Sequence, residues 1–286
     1  MKQVQWFPGH MFKSLREIKE KIKLMDMVFL LVDARLPFSS MNPEILKIVG
    51  DKPTLLLFNK IDLADRKTVD KWVEFYEAQG FYTLLINSND GFNVNKIYSR
   101  SKEILEEKIL RSKNKGMKFD RVRGMILGIP NVGKSTLINK LVSKKATNVG
   151  NKPGVTKSQQ WIKINPHFEL LDTPGVLWPK FEDETVGFAL AITGAIKDDT
   201  LPMNQVVIYA INYLKEYYPI RLKERYGIEN VQDLDEVEIL DHIGKVRGAI
   251  VKGGETDYDR VYTILLTDIR NRNLGALSFD HRQSSI

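Results

Sequence analysis

The octapeptide Gly128-Ile129-Pro130-Asn131-Val132-Gly133-Lys134-Ser135 has the glycine and lysine spacing of a phosphate-binding loop. Its glycines let the backbone wrap closely around an anion. The amides of Asn131, Val132, Gly133 and onward to Thr136, with the Lys134 ammonium, can then hold the β- and γ-phosphates of a nucleotide, while the Ser135 hydroxyl ligates magnesium. Downstream, Asp172-Thr173-Pro174-Gly175 offers a carboxylate, Asp172, to hold the same ion through water, and a glycine amide, that of Gly175, to sense the γ-phosphate. Between these motifs lies Gly154-Val155-Thr156. Thr156 stands where it would complete the magnesium shell, or is no more than a loop hydroxyl.

Asn59-Lys60-Ile61-Asp62 is suited to reading a base. An aspartate carboxylate accepts hydrogen bonds from the ring N–H and amino group of guanine, which adenine cannot supply, and Lys60 can lay its aliphatic stem along the ring. Alone, such a tetrapeptide is equally a solvated turn; beside a phosphate loop it reads as guanine recognition. Asn87-Ser88-Asn89-Asp90-Gly91 is the expected base-supporting loop, with Ser88 its candidate contact. In most GTP-binding domains the guanine motif follows the phosphate loop. Here it precedes it, which implies a circularly permuted chain.

For hydrolysis, Val176 stands where many GTPases carry a water-orienting glutamine, and an apolar side chain cannot take that role. His10, one of four histidines, sits in a Pro-Gly turn expected to precede the first helix. An imidazole can orient or polarise water near neutral pH. Its spacing alone fits a packed or capping histidine as well.

These residues need elements to position them. Lys13 to Leu24 has helical apolar spacing, and the short apolar runs at Met27 to Val32, Thr54 to Phe58, Tyr82 to Ile86 and Met125 to Leu127 read as strands buried on both faces. Helices are expected near residues 43–49, 68–79, 94–110 and 134–142. Such alternation predicts an α/β doubly wound, mostly parallel sheet, with an edge hairpin at Gln160 to Ile164 and Phe168 to Leu171. Residues 111–118 form a polar connector where a permuted domain needs a covalent join. Beyond Pro179 the spacing turns helical. We therefore expect a P-loop nucleotide-binding domain over residues 1–179, with residues 1–25 its N-terminal segment, and a small all-helical domain over 180–286.

The 286 residues contain no cysteine, which excludes disulfides, thiolate metal sites and cysteine nucleophiles. With no signal-peptide core and no run of eighteen or more apolar residues, no membrane partner and a cytoplasmic location are expected. Charge is segregated. Residues 1–180 hold 31 Lys and Arg against 18 Asp and Glu, a net of +13, and residues 181–286 hold 12 against 18, a net of −6. The basic part suits a polyanionic partner, RNA foremost, or a solubilising surface that also neutralises nucleotide.

Several motifs in order, Gln5-Trp6-Phe7-Pro8-Gly9-His10-Met11, Asp33-Ala34-Arg35-Leu36-Pro37, the phosphate loop, Asn151-Lys152-Pro153-Gly154-Val155-Thr156 and Asp172-Thr173-Pro174-Gly175-Val176-Leu177-Trp178-Pro179-Lys180, resemble the bacterial ribosome biogenesis GTPase A family. The resemblance spans essentially the whole chain, including Gly244-Lys245-Val246-Arg247-Gly248 in the helical tail. It implies a circularly permuted GTPase that converts GTP to GDP and phosphate with magnesium. It also implies His10 in hydrolysis, and Asn131 holding a potassium ion in place of an arginine finger. The implied partner is the precursor of the large ribosomal subunit, its rRNA and ribosomal proteins, which stimulates hydrolysis late in maturation. The acidic tail would then touch RNA through local cations such as Lys245, Arg247, Lys252, Arg270 and Arg272. A different class of function remains open: a sensor of nucleotide occupancy in translation or stress, with hydrolysis incidental. GTP-dependent tRNA modification finds no cysteine or second cofactor site to support it.

Overall fold

The computed structural model describes residues 9–116, 121–143, 159–178, 181, 183–200 and 202–281; of His10 the backbone alone is described. The candidates Thr156 and the 179/180 domain boundary, with the motif residues before Gly9, lie outside these residues.

In chain order the elements are α1 (Gly9–Lys21), β1 (Met27–Asp33), α2 (Pro43–Val49), β2 (Thr54–Asn59), α3 (Arg66–Ala78), β3 (Tyr82–Leu85), α4 (Lys96–Ile104), α5 (Glu106–Asn114), β4 (Val122–Gly128), α6 (Lys134–Ser143), β5 (Gln160–Asn165) and β6 (Phe168–Asp172). Five helices follow: α7 (Glu184–Ile192), α8 (Met203–Tyr217), α9 (Pro219–Tyr226), α10 (Glu236–Arg247) and α11 (Tyr258–Arg270).

The six strands form one sheet in the order β3-β2-β1-β4-β6-β5. All neighbours are parallel except the β5–β6 hairpin. β1 and β2 are buried along their whole length, as continuous apolar runs between two helical layers must be. Phe29, Leu31, Leu56 and Phe58 among them are essentially inaccessible to solvent, and each such side chain stabilises the core by roughly 1.5–3 kcal/mol. Although β4 is fourth in sequence, it pairs with β1 and β6 in the middle of the sheet. The chain winds outward from β1 to β3, returns to β4 beside β1, then crosses to the edge strand β5 and folds back through the hairpin so that β6 lies between β5 and β4. This is the permuted threading that the inverted motif order implies, and it puts the phosphate loop at the switch point of the sheet.

Four expectations need correction. β3 is an edge strand and is not buried on both faces, its Tyr82 standing exposed. α1 starts at Gly9, so His10 lies in its first turn rather than in a loop before it; Met11 is buried and anchors that turn. The helix expected over 94–110 is two helices, broken at Leu105, whose buried side chain follows a non-helical end to α4. The connector begins later than residue 111, because α5 runs to Asn114 on helix-forming Arg and Lys and an Arg111 to Glu107 ion pair.

Pro202 caps α8 and Pro219 opens α9, where the proline ring's fixed φ suits a first turn. After α11 the chain turns back onto the sheet domain. Leu277 N donates to Leu63 O at 3.0 Å and Phe279 N to Arg35 O at 2.8 Å. The Asp280 carboxylate accepts from Phe38 N, Ser39 N and Ser39 Oγ at 2.8, 2.8 and 2.6 Å. Burial pushes its pKa up to about 6, against the opposing pull of those donors. His281 stacks on Tyr217 with centroids 4.0 Å apart. The tail thus clasps the helical region to the β1–α2 loop.

Candidate nucleotide site

β4 ends at Gly128 and α6 begins at Lys134, so the phosphate loop is the turn between a buried strand and a helix N-terminus. Three glycines are required by contact, among them Gly128, where a Cβ would lie 2.7 Å from Leu31 O. A Cβ on Gly133, whose φ is +102°, would lie 2.3 Å from Asn59 Nδ2, and one on Gly175 would lie 2.6 Å from Pro130 N. Gly133 lets the guanine motif close onto the loop, and Gly175 lets the end of the β6 segment do the same.

Asn59 is the junction. Its Nδ2 donates to Val132 O at 2.8 Å, and its Oδ1 accepts from Ser88 N at 3.0 Å and Ser88 Oγ at 2.9 Å. One buried amide therefore joins the base-reading motif, the phosphate loop and the loop carrying Ser88. Lys60, in left-handed backbone conformation, sends its Nζ to Asp33 Oδ2 and Asn131 O, both at 2.8 Å. Asp33 is in turn gripped by Arg35, Nε to Oδ1 at 2.9 Å and Nη2 to Oδ2 at 2.7 Å. Burial alone would raise the pKa of Asp33, but Arg35 and Lys60 outweigh it and hold the carboxyl well below the usual carboxylate range.

Asp62 Oδ1 is buried with no hydrogen-bond partner among the described residues, which fits an acceptor meant for a guanine edge. Lys134 is buried, with Nζ donating to Gly128 O at 3.1 Å and Ile129 O at 2.9 Å. Burial lowers its pKa to about 8, with Asp172 pulling the other way. A buried ammonium so destabilised is matched to a phosphate. Asp172 is fully buried at the end of β6, and Thr173 Oγ1 anchors the next residue to Ile126 O at 2.6 Å. Among the described residues no cluster of three or more His, Cys, Asp or Glu could hold a metal alone. The carboxylate of Asp172 at the end of β6 and the hydroxyl of Ser135 in the first turn of α6 are hard oxygen donors of the kind that suit magnesium, which takes few protein ligands and completes its shell with phosphate oxygens and water. Ser135 and Asp172 are the groups that would hold it.

Val176 is buried, its N–H donating to Gly128 O at 3.3 Å, so it packs under the phosphate loop. Asn42, which caps α2 through Oδ1, donates from Nδ2 to Val176 O at 2.8 Å. Asn131 Nδ2 donates to Gly194 O at 2.9 Å, and Arg35 Nη2 to Thr193 O at 3.4 Å. The nucleotide loops thereby touch the C-terminal end of α7.

The structure brings Asn59, Lys60, Ser88, Asn131, Val132, Gly133, Lys134 and Gly175 together through these contacts, with Ser135 and Thr136 opening α6 and Asp172 closing β6. The stem of Lys60 remains available to a base, but its ammonium also bridges Asp33 and the phosphate loop. Asp33 and Arg35 belong to a segment that carries the resemblance but had no role assigned to them, and Asn42 was not singled out, because their partners are set by strand neighbours and distant loops. Two of the cations expected to meet RNA are also engaged within the helical region, where Arg247 pairs with Asp268 and Arg270 with Asp198.

A family model described as 50S ribosome-binding GTPase matches residues 123–244. "Ribosome biogenesis GTPase A" of Priestia megaterium is 51% identical over 97% of this chain and 96% of its own. The protein of the same name from Bacillus pumilus is 50% identical over 98% of this chain and 99% of its own. The solved GNP-bound YlqF from T. maritima is similar at a TM-score of 0.64 and 28% identity, covering 96% of this chain and 100% of that one.

Proposed function

From the membership of this chain in the ribosome biogenesis GTPase A family, shown by relatives about half identical over nearly its full length, we propose that it is a GTP-hydrolysing assembly factor for the large ribosomal subunit. It acts late in maturation, docks on rRNA and ribosomal proteins of the immature particle, and is stimulated by them. The nucleotide half of this reading is carried by the Asn59 junction, which makes one site of the guanine and phosphate motifs. The ribosomal half is carried by what the relatives are named. Among the described residues no helix is long and apolar enough to cross a membrane, and we place the protein in the cytoplasm.

Within the site, Asp62 reads guanine, Ser88 supports the base loop, and Lys134 with the loop amides neutralises the triphosphate. Magnesium, when bound, would supply charge neutralisation to the triphosphate, and Ser135, Asp172 and Thr156 would hold it. His10 orients the attacking water in place of the glutamine that Val176 replaces. Asn131, whose Nδ2 donates to Gly194 O, would hold a potassium ion; equal turnover in sodium and potassium would remove this assignment. We divide the chain into a GTPase domain at 1–179 and a helical domain at 180–286. The contacts of Asn131 with Gly194 and of Arg35 with Thr193 support a route by which loss of the γ-phosphate shifts the helical domain. Sedimentation with purified large subunits tests the reading: binding is expected with a non-hydrolysable GTP analogue and weakens with GDP. Absence of binding in both states contradicts it.

A further inference from the structure

At the end of the sheet remote from the nucleotide loops, α1 and α2 enclose a groove of about 490 Å³. Four lysines line it: Lys19 and Lys23 from α1 and its extension, Lys47 from α2, and Lys52 from the turn before β2. Its apolar lining includes Ile22 and Val49, whose side chains are consumed by the core. Glu44 is the one acid on its wall, and it pairs with Lys47 at 2.7 Å. Lys19 and Lys23 lie four residues apart, on one face of the helical turn, and form no ion pair among the described residues. Lys52 Nζ donates to Met25 O at 2.9 Å. Burial first and neighbouring Lys108 second keep its pKa below the ordinary lysine range, with Asp26 pulling the other way.

We propose that this α1–α2 groove is a docking site for the phosphate backbone of RNA, which deepens and rests on the ribosomal reading above. Charge complementarity selects the occupant. The groove belongs to the basic part of the chain, net +13 over residues 1–180. Lysine ammoniums on flexible stems track a backbone without demanding a base sequence. A lipid surface is the poorer fit, because Ile22 and Val49 in the groove wall are already buried and offer a bilayer little apolar surface there.

The location has a consequence for hydrolysis. Lys52 precedes the first residue of β2 and Asn59 is its last, so a six-residue strand, about 20 Å, separates the groove from the guanine motif. Substitutions here leave the nucleotide loops intact. The groove also takes the C-terminal end of α1, the 13-residue helix whose first turn carries His10. RNA bound there fixes the position of that helix.

The test compares wild type with the triple variant Lys19→Gln, Lys23→Gln, Lys47→Gln. Probes are purified large subunits and their protein-free rRNA, each titrated across salt concentration. The variant is expected to bind both on the order of tenfold to a hundredfold more weakly near physiological salt. Its slope of log affinity against log salt should be shallower by about 2, as the loss of three phosphate contacts requires. Basal GTP turnover and the thermal midpoint should match wild type, and arginine at the same three positions should restore binding. A second variant, Lys96→Gln, Lys102→Gln, Lys113→Gln, removes equal charge from α4 and α5 and should bind nearly as wild type. The proposal is overturned if the groove variant binds like wild type, if the α4–α5 variant loses as much, or if only subunit and not rRNA binding is lost, which would point to an acidic ribosomal protein. If wild type binds subunits but the groove is silent, the ribosomal reading survives; if wild type binds neither probe, both fall.

Discussion

The side-chain amide of Asn59 donates to the carbonyl of Val132 at 2.8 Å, so the guanine motif is fastened to the backbone of the phosphate loop across 73 residues of chain. Asn59→Ala strands Val132 O, Ser88 N and Ser88 Oγ, each a buried or partly buried group that costs about 1–3 kcal/mol unpaired. We expect GTP affinity to fall on the order of a hundredfold, equivalent to about 2.7 kcal/mol. Titration with a fluorescent GTP analogue reads this directly, and an affinity equal to wild type would contradict the junction's role.

Lys134 gives a dependence on pH with opposite signs for stability and binding. Its pKa falls from 10.5 to about 8 through burial. Between these values the unfolded chain holds the proton and the folded one does not, so stability of the nucleotide-free protein rises with pH through that window. A phosphate stabilises the ammonium, so binding takes up a proton above pH 8. GTP affinity should be level just below pH 8 and fall toward tenfold per unit above it. Calorimetry and thermal melts from pH 7.5 to 9.5, with Lys134→Met as the melting control, check both signs; affinity that rises over this range would refute the assignment.

Asp280 closes the tail onto the β1–α2 loop through three donors, Phe38 N, Ser39 N and Ser39 Oγ. Asp280→Ala should lower global stability by about 2–3 kcal/mol and speed amide exchange at Ser39. Denaturant unfolding with an unchanged midpoint would show that the clasp is energetically idle.

The local signals in the sequence proved legible where physics is local. β1 and β2 are continuous apolar runs because both faces of a parallel strand are covered, and the phosphate loop is set by glycines and lysine within eight residues. Long-range pairings were not legible. Lys60 meets Asp33 over 27 residues only because β1 and β2 are neighbours in register, and Asn42 meets Val176 over 134 residues. Nothing in Ser278-Phe279-Asp280-His281 marks it as a clasp until α8 and α9 are in place. The break at Leu105 was hidden because Lys, Glu and Ile on both sides suit a helix equally well. Thr156 and the His10 side chain keep their roles as proposals, carried by motif position and family resemblance.

The central claim joins catalysis to the ribosomal particle, and GTP turnover by wild type and His10→Ala, each with and without purified large subunits, tests it most directly. Wild-type turnover should rise with subunits. His10→Ala should bind GTP and subunits normally yet lose on the order of a hundredfold in stimulated turnover, as removal of a water-orienting group predicts. Wild-type turnover indifferent to subunits, or a His10→Ala variant stimulated as fully as wild type, would contradict the account, and the second result would favour a sensor of nucleotide occupancy.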